Sequence, residues 1–355
     1  MSSALPTPRP QLVSPPPATP GDRVAILSPA FAAPAVFPDV HEIGLRVLRE
    51  ELRLEPVEYP TTRQLDAPAS DRARDIMEAF LDDSIALVMA SIGGSDEITV
   101  LPYLDPEVFL AHPKRFFGYS DNTNLLNFLW NQGVIGYHGG STLVHLARPG
   151  GVHPVSLSSL RAAVFTRDTV ELKPVEAFTD FEAEWSDLST LENEVPTTPE
   201  LGWYWHNADH VVTGPTWGGN LEIVHWNLAT NRFIRASDEY AGCVLILETS
   251  EEMPSSRDVF YMVRNMGERG LLGQFPAIVV AKPKAWHRDN RLEEHERSAF
   301  RRDQRDAVIR AISTYNPEAL VVIGPDFGHT DPQYVIPYGG QMTVDGPSQR
   351  ITMTY

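Results

Sequence analysis

Apolar residues fall in two alternating rhythms along most of this chain. Short continuous runs, such as IALVMA at 85–90, stand between stretches whose apolar positions recur every three or four residues. Residues 21–28 read as a first strand, closed by Pro29. Residues 40–54 carry Ile43, Val47, Leu48 and Leu52 at helical spacing, and 57–59 read as a short strand. A helix is expected over 69–82, with Ser70 as its N-cap and Ile76, Met77, Phe80 and Leu81 turned inward. Strand 85–90 follows, broken by Gly93 and Gly94. A short helix at 106–112, a strand at 115–119 and a helix at 122–132 complete the run. The rhythm weakens between about 165 and 215. It resumes with a helix after Gly218-Gly219-Asn220 and strands near 243–248, 276–281 and 319–324. A long charged helix over 290–313 buries Phe300, Val308, Ile309 and Ile312.

Strands alternating with helices predict an α/β fold. We expect an N-terminal domain over 21–165 with a doubly wound, mostly parallel sheet. A linker and substrate-covering segment would span 166–215. A second α/β domain would occupy 216–355, with the active site at the domain junction. No internal repeat is visible. Residues 1–20 hold seven prolines and no apolar signal core, and read as a disordered tail.

Composition narrows the functions. The chain has 355 residues and a formal net charge of −18, which argues against a long nucleic acid as partner because counterion release needs a basic face. It leaves room for a mononucleotide. The lone Cys243 rules out an intrachain disulfide and starts an apolar run as a small buried residue. No stretch reaches the apolar length of a membrane span, so no membrane partner and a cytoplasmic location are expected.

Three apolar runs end abruptly in a residue able to do chemistry. Phe116-Phe117-Gly118-Tyr119 leads to Ser120, Val244-Leu245-Ile246-Leu247 to Glu248, and Leu320-Val321-Val322-Ile323 to a Gly-rich loop bearing His329. Ligands of open α/β sheets bind at the carboxyl ends of the strands, where such residues can meet. Ser120 stands between strand and helix. It resembles the Ser of a nucleophile elbow, although Asn122 replaces the second Gly of G-x-S-x-G. It could equally cap the helix. Gly93, Gly94 and Ser95 follow another buried strand, where backbone can approach a ligand closely or simply turn. A backbone N–H there and that of Asp121 could form an oxyanion hole. His329 is a candidate base and Glu248 its orienting acid, with Glu251 and Glu252 as competitors.

Other signals are weaker. His206 and His210 have i,i+4 spacing but lack the glutamate of H-E-x-x-H, so no metal is expected. His138 ends a short apolar run and could line a site floor. Asn220 could bond a substrate hydroxyl or cap a helix.

GYSD at 118–121, IGGSDE at 92–97, GGNL at 218–221, LETSEE at 247–252 and FGHTDPQ at 327–333 together resemble the LD-carboxypeptidase family of serine peptidases. The resemblance runs from about Gly21 to the C-terminus. It implies Ser120 as nucleophile, Glu248 and His329 as the rest of a triad, and Gly94 and Asp121 as oxyanion donors. It also implies a homodimer and no cofactor. The family trims terminal D-alanine from murein tetrapeptides. A microcin C immunity branch cleaves the amide between an aminoacyl group and a modified nucleotide. The GGSDE segment and the long 165–215 insertion lean towards that branch. Trp185, Trp203, Trp205 and Trp217 lie in or just beyond the insertion. Trp203 and Trp205 are the candidates for stacking on a base.

Overall fold

The computed structural model describes residues 10–355. Two α/β domains with mixed sheets make up the chain. The first contributes β1 (Arg23–Leu27), β2 (Glu55–Glu58), β3 (Ile85–Ala90), β4 (Arg115–Gly118) and β5 (Gly136–His138). These run parallel in the spatial order β5-β4-β3-β1-β2. β3 and β4 are nearly devoid of polar positions, as strands covered on both faces must be. Their cover includes α2 (Pro38–Glu50), α3 (Ala69–Leu81) and α5 (Thr123–Asn131), reached after the one-turn α1 (Ala33–Val36) and short α4 (Pro106–Ala111). α6 (Pro154–Phe165) closes this domain. Ser70 does not cap α3; Pro68 holds that position, and Ser70 lies within the first turn.

The second sheet has eight strands. Its antiparallel side begins at β6 (Thr169–Leu172). A two-stranded ribbon, β7 (Ala177–Phe178) with β8 (Thr198–Pro199), stands apart from it. β9 (Tyr204–His206) is the opposite edge, and the ten-residue β10 (Val211–Asn220) lies at the centre. β11 (Val244–Glu248), β12 (Ala277–Val280) and β13 (Leu320–Ile323) run parallel to one another beside β10. α7 (Leu221–Thr230), α8 (Ser256–Glu268) and α9 (Glu294–Tyr315) connect them.

The C-terminal segment joins the halves. β14 (Ile336–Tyr338) leaves the second domain and pairs antiparallel with β5. β15 (Gln341–Asp345) and β16 (Arg350–Thr354) return to pair with β10 and β6. Both sheets therefore carry antiparallel edges that the regular alternation did not predict.

The expected disordered tail needs correction from Pro10 onward; residues 1–9 lie outside the described part. Val13 bridges Val134, Ala18 is buried, and the Pro15 carbonyl accepts a hydrogen bond from Arg115 Nε. Proline fixes this segment in an extended form that suits docking across a sheet end. The 166–215 segment also has more order than a linker, supplying edge strands to the second sheet.

Candidate active site

A cleft of about 730 Å³ lies at the carboxyl ends of β3, β4 and β13. Ser120, His329, Gly93, Gly94 and Ser95 all line it. Ser120 has φ +60°, a left-handed conformation that a residue with a Cβ adopts only under constraint. It lies within the first turn, while the N-cap of α5 is Asn122, so Ser120 is not the helix cap. The constraint comes from packing at both sides. A Cβ on Gly118 would stand 2.8 Å from the Asn122 side chain, and one on Gly93 would stand 2.9 Å from Ser120 Cβ and 3.1 Å from its Oγ. The same position is 3.3 Å from the Asp121 nitrogen, so the Gly93 backbone and the first N–H of the turn converge beside the hydroxyl. Gly94 packs instead on Ala30 and Phe31.

The Asp121 carboxylate points away from the cleft. It accepts from Glu97 N–H at 3.0 Å and from Asn124 Nδ2 at 2.8 Å. Burial pushes its carboxyl up to about 6. Glu97, wholly buried beside it, is raised well above the carboxylate range by that burial and by the neighbouring Asp121.

His329 Nδ1 donates to Glu248 Oε2 at 2.6 Å. Glu248 ends β11 and is 1% exposed. Gly328 makes the approach possible, since a Cβ there would stand 3.1 Å from Glu248 Cβ. Gln333 ties this loop to the first domain: its Nε2 donates to the Gly328 carbonyl, and its Oε1 accepts from Gly140 N–H, both at 2.9 Å. The other imidazole nitrogen, Nε2, lies 3.0 Å from Glu251 Oε2. That contact is charge pairing rather than an aligned hydrogen bond, for Oε2 has no hydrogen-bond partner. Burial disfavours the imidazolium, yet Glu248 and Glu251 together outweigh it and raise His329 to about 10. Burial likewise opposes ionisation of Glu251, and His329 overcomes it, bringing the carboxyl down to about 2. Both ring nitrogens of His329 face carboxylates, and no hydrogen bond joins it to Ser120.

Several expected site residues stand elsewhere. Asn220 is a buried N-cap, accepting from Ile223 N–H at 3.0 Å, and does not line the cleft. Trp205 is paired with Val322 at the sheet edge, and Trp203 packs on Gly324. Neither lines the cleft, and Trp217 is fully buried. Trp185 does line it, edge-on to Phe37 with ring centroids 5.3 Å apart. Four clustered indoles in sequence gave no sign of which sheet edge each would meet. His138 is buried behind Tyr119, and burial lowers it to about 4. His145, which lines the cleft and was not singled out, is lowered by burial to about 3. Among the described residues, no group of three His, Cys, Asp or Glu could hold a metal ion.

A serine at a strained strand–helix turn and a carboxylate-oriented histidine on one cleft define the serine-hydrolase class. The chain belongs to the LD-carboxypeptidase family: residues 24–139 match its N-terminal domain and 213–344 its C-terminal domain. It is an enzyme of that peptidase family. It is 22% identical to the microcin C7 self-immunity protein MccF of Escherichia coli, over 80% of this chain and 78% of that protein. It is 24% identical to a "probable murein peptide carboxypeptidase" of Bacillus subtilis, over 92% of this chain and 89% of that one. The structure superposes on an MccF-like protein of Streptococcus pneumoniae solved with AMP, with TM-score 0.80 and 22% identity, covering 94% of this chain and 99% of that one.

Proposed function

We propose that the protein is a serine amidase that hydrolyses the bond between an aminoacyl group and a nucleotide, at an active site in the cleft between the domains. One observation carries this reading: Ser120, held left-handed against Gly93, opens on the same cleft as a histidine fixed by buried Glu248. In the reaction, His329 Nε2 takes the Ser120 proton as Oγ attacks the amide carbonyl. The N–H groups of Gly94 and Asp121 receive the oxyanion. His329 returns the proton to the leaving nitrogen, and water releases the acyl group by the same steps in reverse order. His329 Nε2 must leave Glu251 to act.

The nucleotide half is supported by the cleft wall. Trp185, Phe31 and Phe181 line it, and such surfaces suit a nucleobase at roughly 1–3 kcal/mol per stacked base. The likeness to an AMP-bound relative supports the same choice. The B. subtilis likeness favours a second reading, removal of D-alanine from a murein tetrapeptide. Charge does not separate the two substrates, since a terminal carboxylate and a nucleotide phosphate are both anions and the cleft cations Arg72, Arg148 and Lys284 are paired with Asp96, Asp331 and Glu182. Product analysis by mass spectrometry decides. Free amino acid released from an aminoacyl sulfamoyl adenosine is expected; loss of D-alanine from the tetrapeptide alone would establish the second reading.

A further inference from the structure

The charges of the cleft are unevenly committed. Arg72 meets Asp96 through two contacts of 2.9 Å, Arg148 meets Asp331 at 2.5 Å, and Lys284 meets Glu182. No lining Arg or Lys among the described residues is left to receive an anion. Two lining carboxylates have no Arg or Lys partner among the described residues, Asp66 on an exposed loop and Glu251. Glu251 is the one beside the reacting groups, 3.0 Å from His329 Nε2, with its side chain still 41% exposed. Its loop is anchored from behind, where Glu222 Oε1 accepts from Ser250 N–H at 3.0 Å and Ser250 Oγ at 2.6 Å. The Glu251 side chain can therefore turn while its backbone stays.

We propose that Glu251 is the acceptor for an ammonium group on the acyl half of the substrate, and that docking this cation draws its carboxylate from His329 Nε2 and frees that nitrogen for Ser120. The inference rests on the proposed hydrolysis at Ser120. Glu251 faces the nitrogen the base must use, and the two flanking carboxylates favour a charged imidazole. An ammonium supplies a replacement partner for Glu251 and removes one of the two charges that hold the proton on His329, so that the Nε2 proton passes to water before that nitrogen accepts one from Ser120. An acidic acyl side chain at the same place would face Glu251 without a compensating cation, and like-charge contact in a partly desolvated site is costly. The protein would thus select basic or free-amino acyl groups over acidic ones.

The ammonium could be the α-amino group or a basic side chain, and four amides separate these sources. Lysinamide carries both, alaninamide the first, Nα-acetyl-lysinamide the second and N-acetyl-alaninamide neither. Each is added at millimolar concentration to the Ser120→Ala protein while the His329 imidazole nitrogens are followed by NMR. Ammonium-bearing amides are expected to shift the Nε2 signal, N-acetyl-alaninamide to leave it, and Glu251→Gln to abolish the response. Whichever single-ammonium amide retains the shift identifies the group read. A shift that persists in Glu251→Gln, an equal one with N-acetyl-alaninamide, or none with any amide would overturn the proposal. Kinetics give the second readout. Wild type should prefer lysyl over aspartyl sulfamoyl adenosine by at least about tenfold in kcat/KM, with Glu251→Lys reversing the order. Equal preference in both proteins would also overturn it. If wild type hydrolyses neither compound, the proposed reaction fails, while the amide titration still decides the role of Glu251.

Discussion

Ser120 pays in backbone strain for its position, and the strain is measurable. A left-handed non-glycine residue costs about 1–2 kcal/mol. Ser120→Gly should therefore be more stable than Ser120→Ala by about 1 kcal/mol in chemical denaturation, both being inactive. Equal stabilities would contradict the left-handed assignment. His329 gives a second residue-scale expectation. Its pKa rises from 6.5 to about 10, so its contribution to stability is complete below 6.5 and is lost as pH climbs through 10. Glu251 falls from 4.5 to about 2, so its contribution is present above 4.5 and lost as pH drops through 2. Denaturation across pH should show an alkaline decline between about 6.5 and 10 that Glu251→Gln makes shallower. An unchanged alkaline limb would show that the pair is not formed. The Ser, Glu and His stood out because Glu248 ends an apolar strand and Ser120 and His329 lie on the loops just beyond two others, where the topology collects chemistry. Glu251 was read only as a rival to Glu248, since adjacent carboxylates in LETSEE give no clue to which nitrogen of a distant imidazole each will face.

At the scale of elements, the ordered segment over 177–200 is held by ion pairs. Lys282 bridges buried Asp326 at 2.5 Å and also Glu200, with its ammonium 3.8 Å from the Phe178 ring centre. Lys284 pairs with Glu182, and Arg301 with Asp180. Removing one member of a buried pair leaves the others uncompensated, at about 3–5 kcal/mol. Lys282→Met should cost that much and raise the rate of proteolytic cleavage within 180–200; a protease map like that of wild type would refute the tethering. β10 was not read as a strand because VVTGPTWGGN places a proline and three glycines where a ladder expects side chains and donors. The glycines are required by close approach: at Gly218, with φ +133°, a Cβ would run into the Ile246 carbonyl oxygen. The β15–β16 hairpin went unread for a related reason. It is short, turn-rich and only half buried, so its alternation is brief.

Over the whole molecule, the strand–helix alternation foretold two α/β domains but not their exchange of strands, because β14 pairs with β5 across some 200 positions of sequence. This exchange and the Gln333 bridge tie the two domains together beside the cleft that Ser120 and His329 both line. No helix among the described residues is long and apolar enough to cross a membrane. We propose the homodimer that the family likeness implies; sedimentation should give twice the chain mass, and a monomer at working concentration would remove it. The central claim is that chemistry passes through Ser120. Its most direct test is turnover of an aminoacyl sulfamoyl adenosine by wild type and Ser120→Ala, with intact-protein mass spectrometry of the rapidly quenched reaction. The account predicts an acyl adduct on Ser120 in wild type and a loss of at least about 10³-fold in kcat for Ser120→Ala with the fold unchanged. A variant that keeps a tenth of the wild-type rate would contradict it.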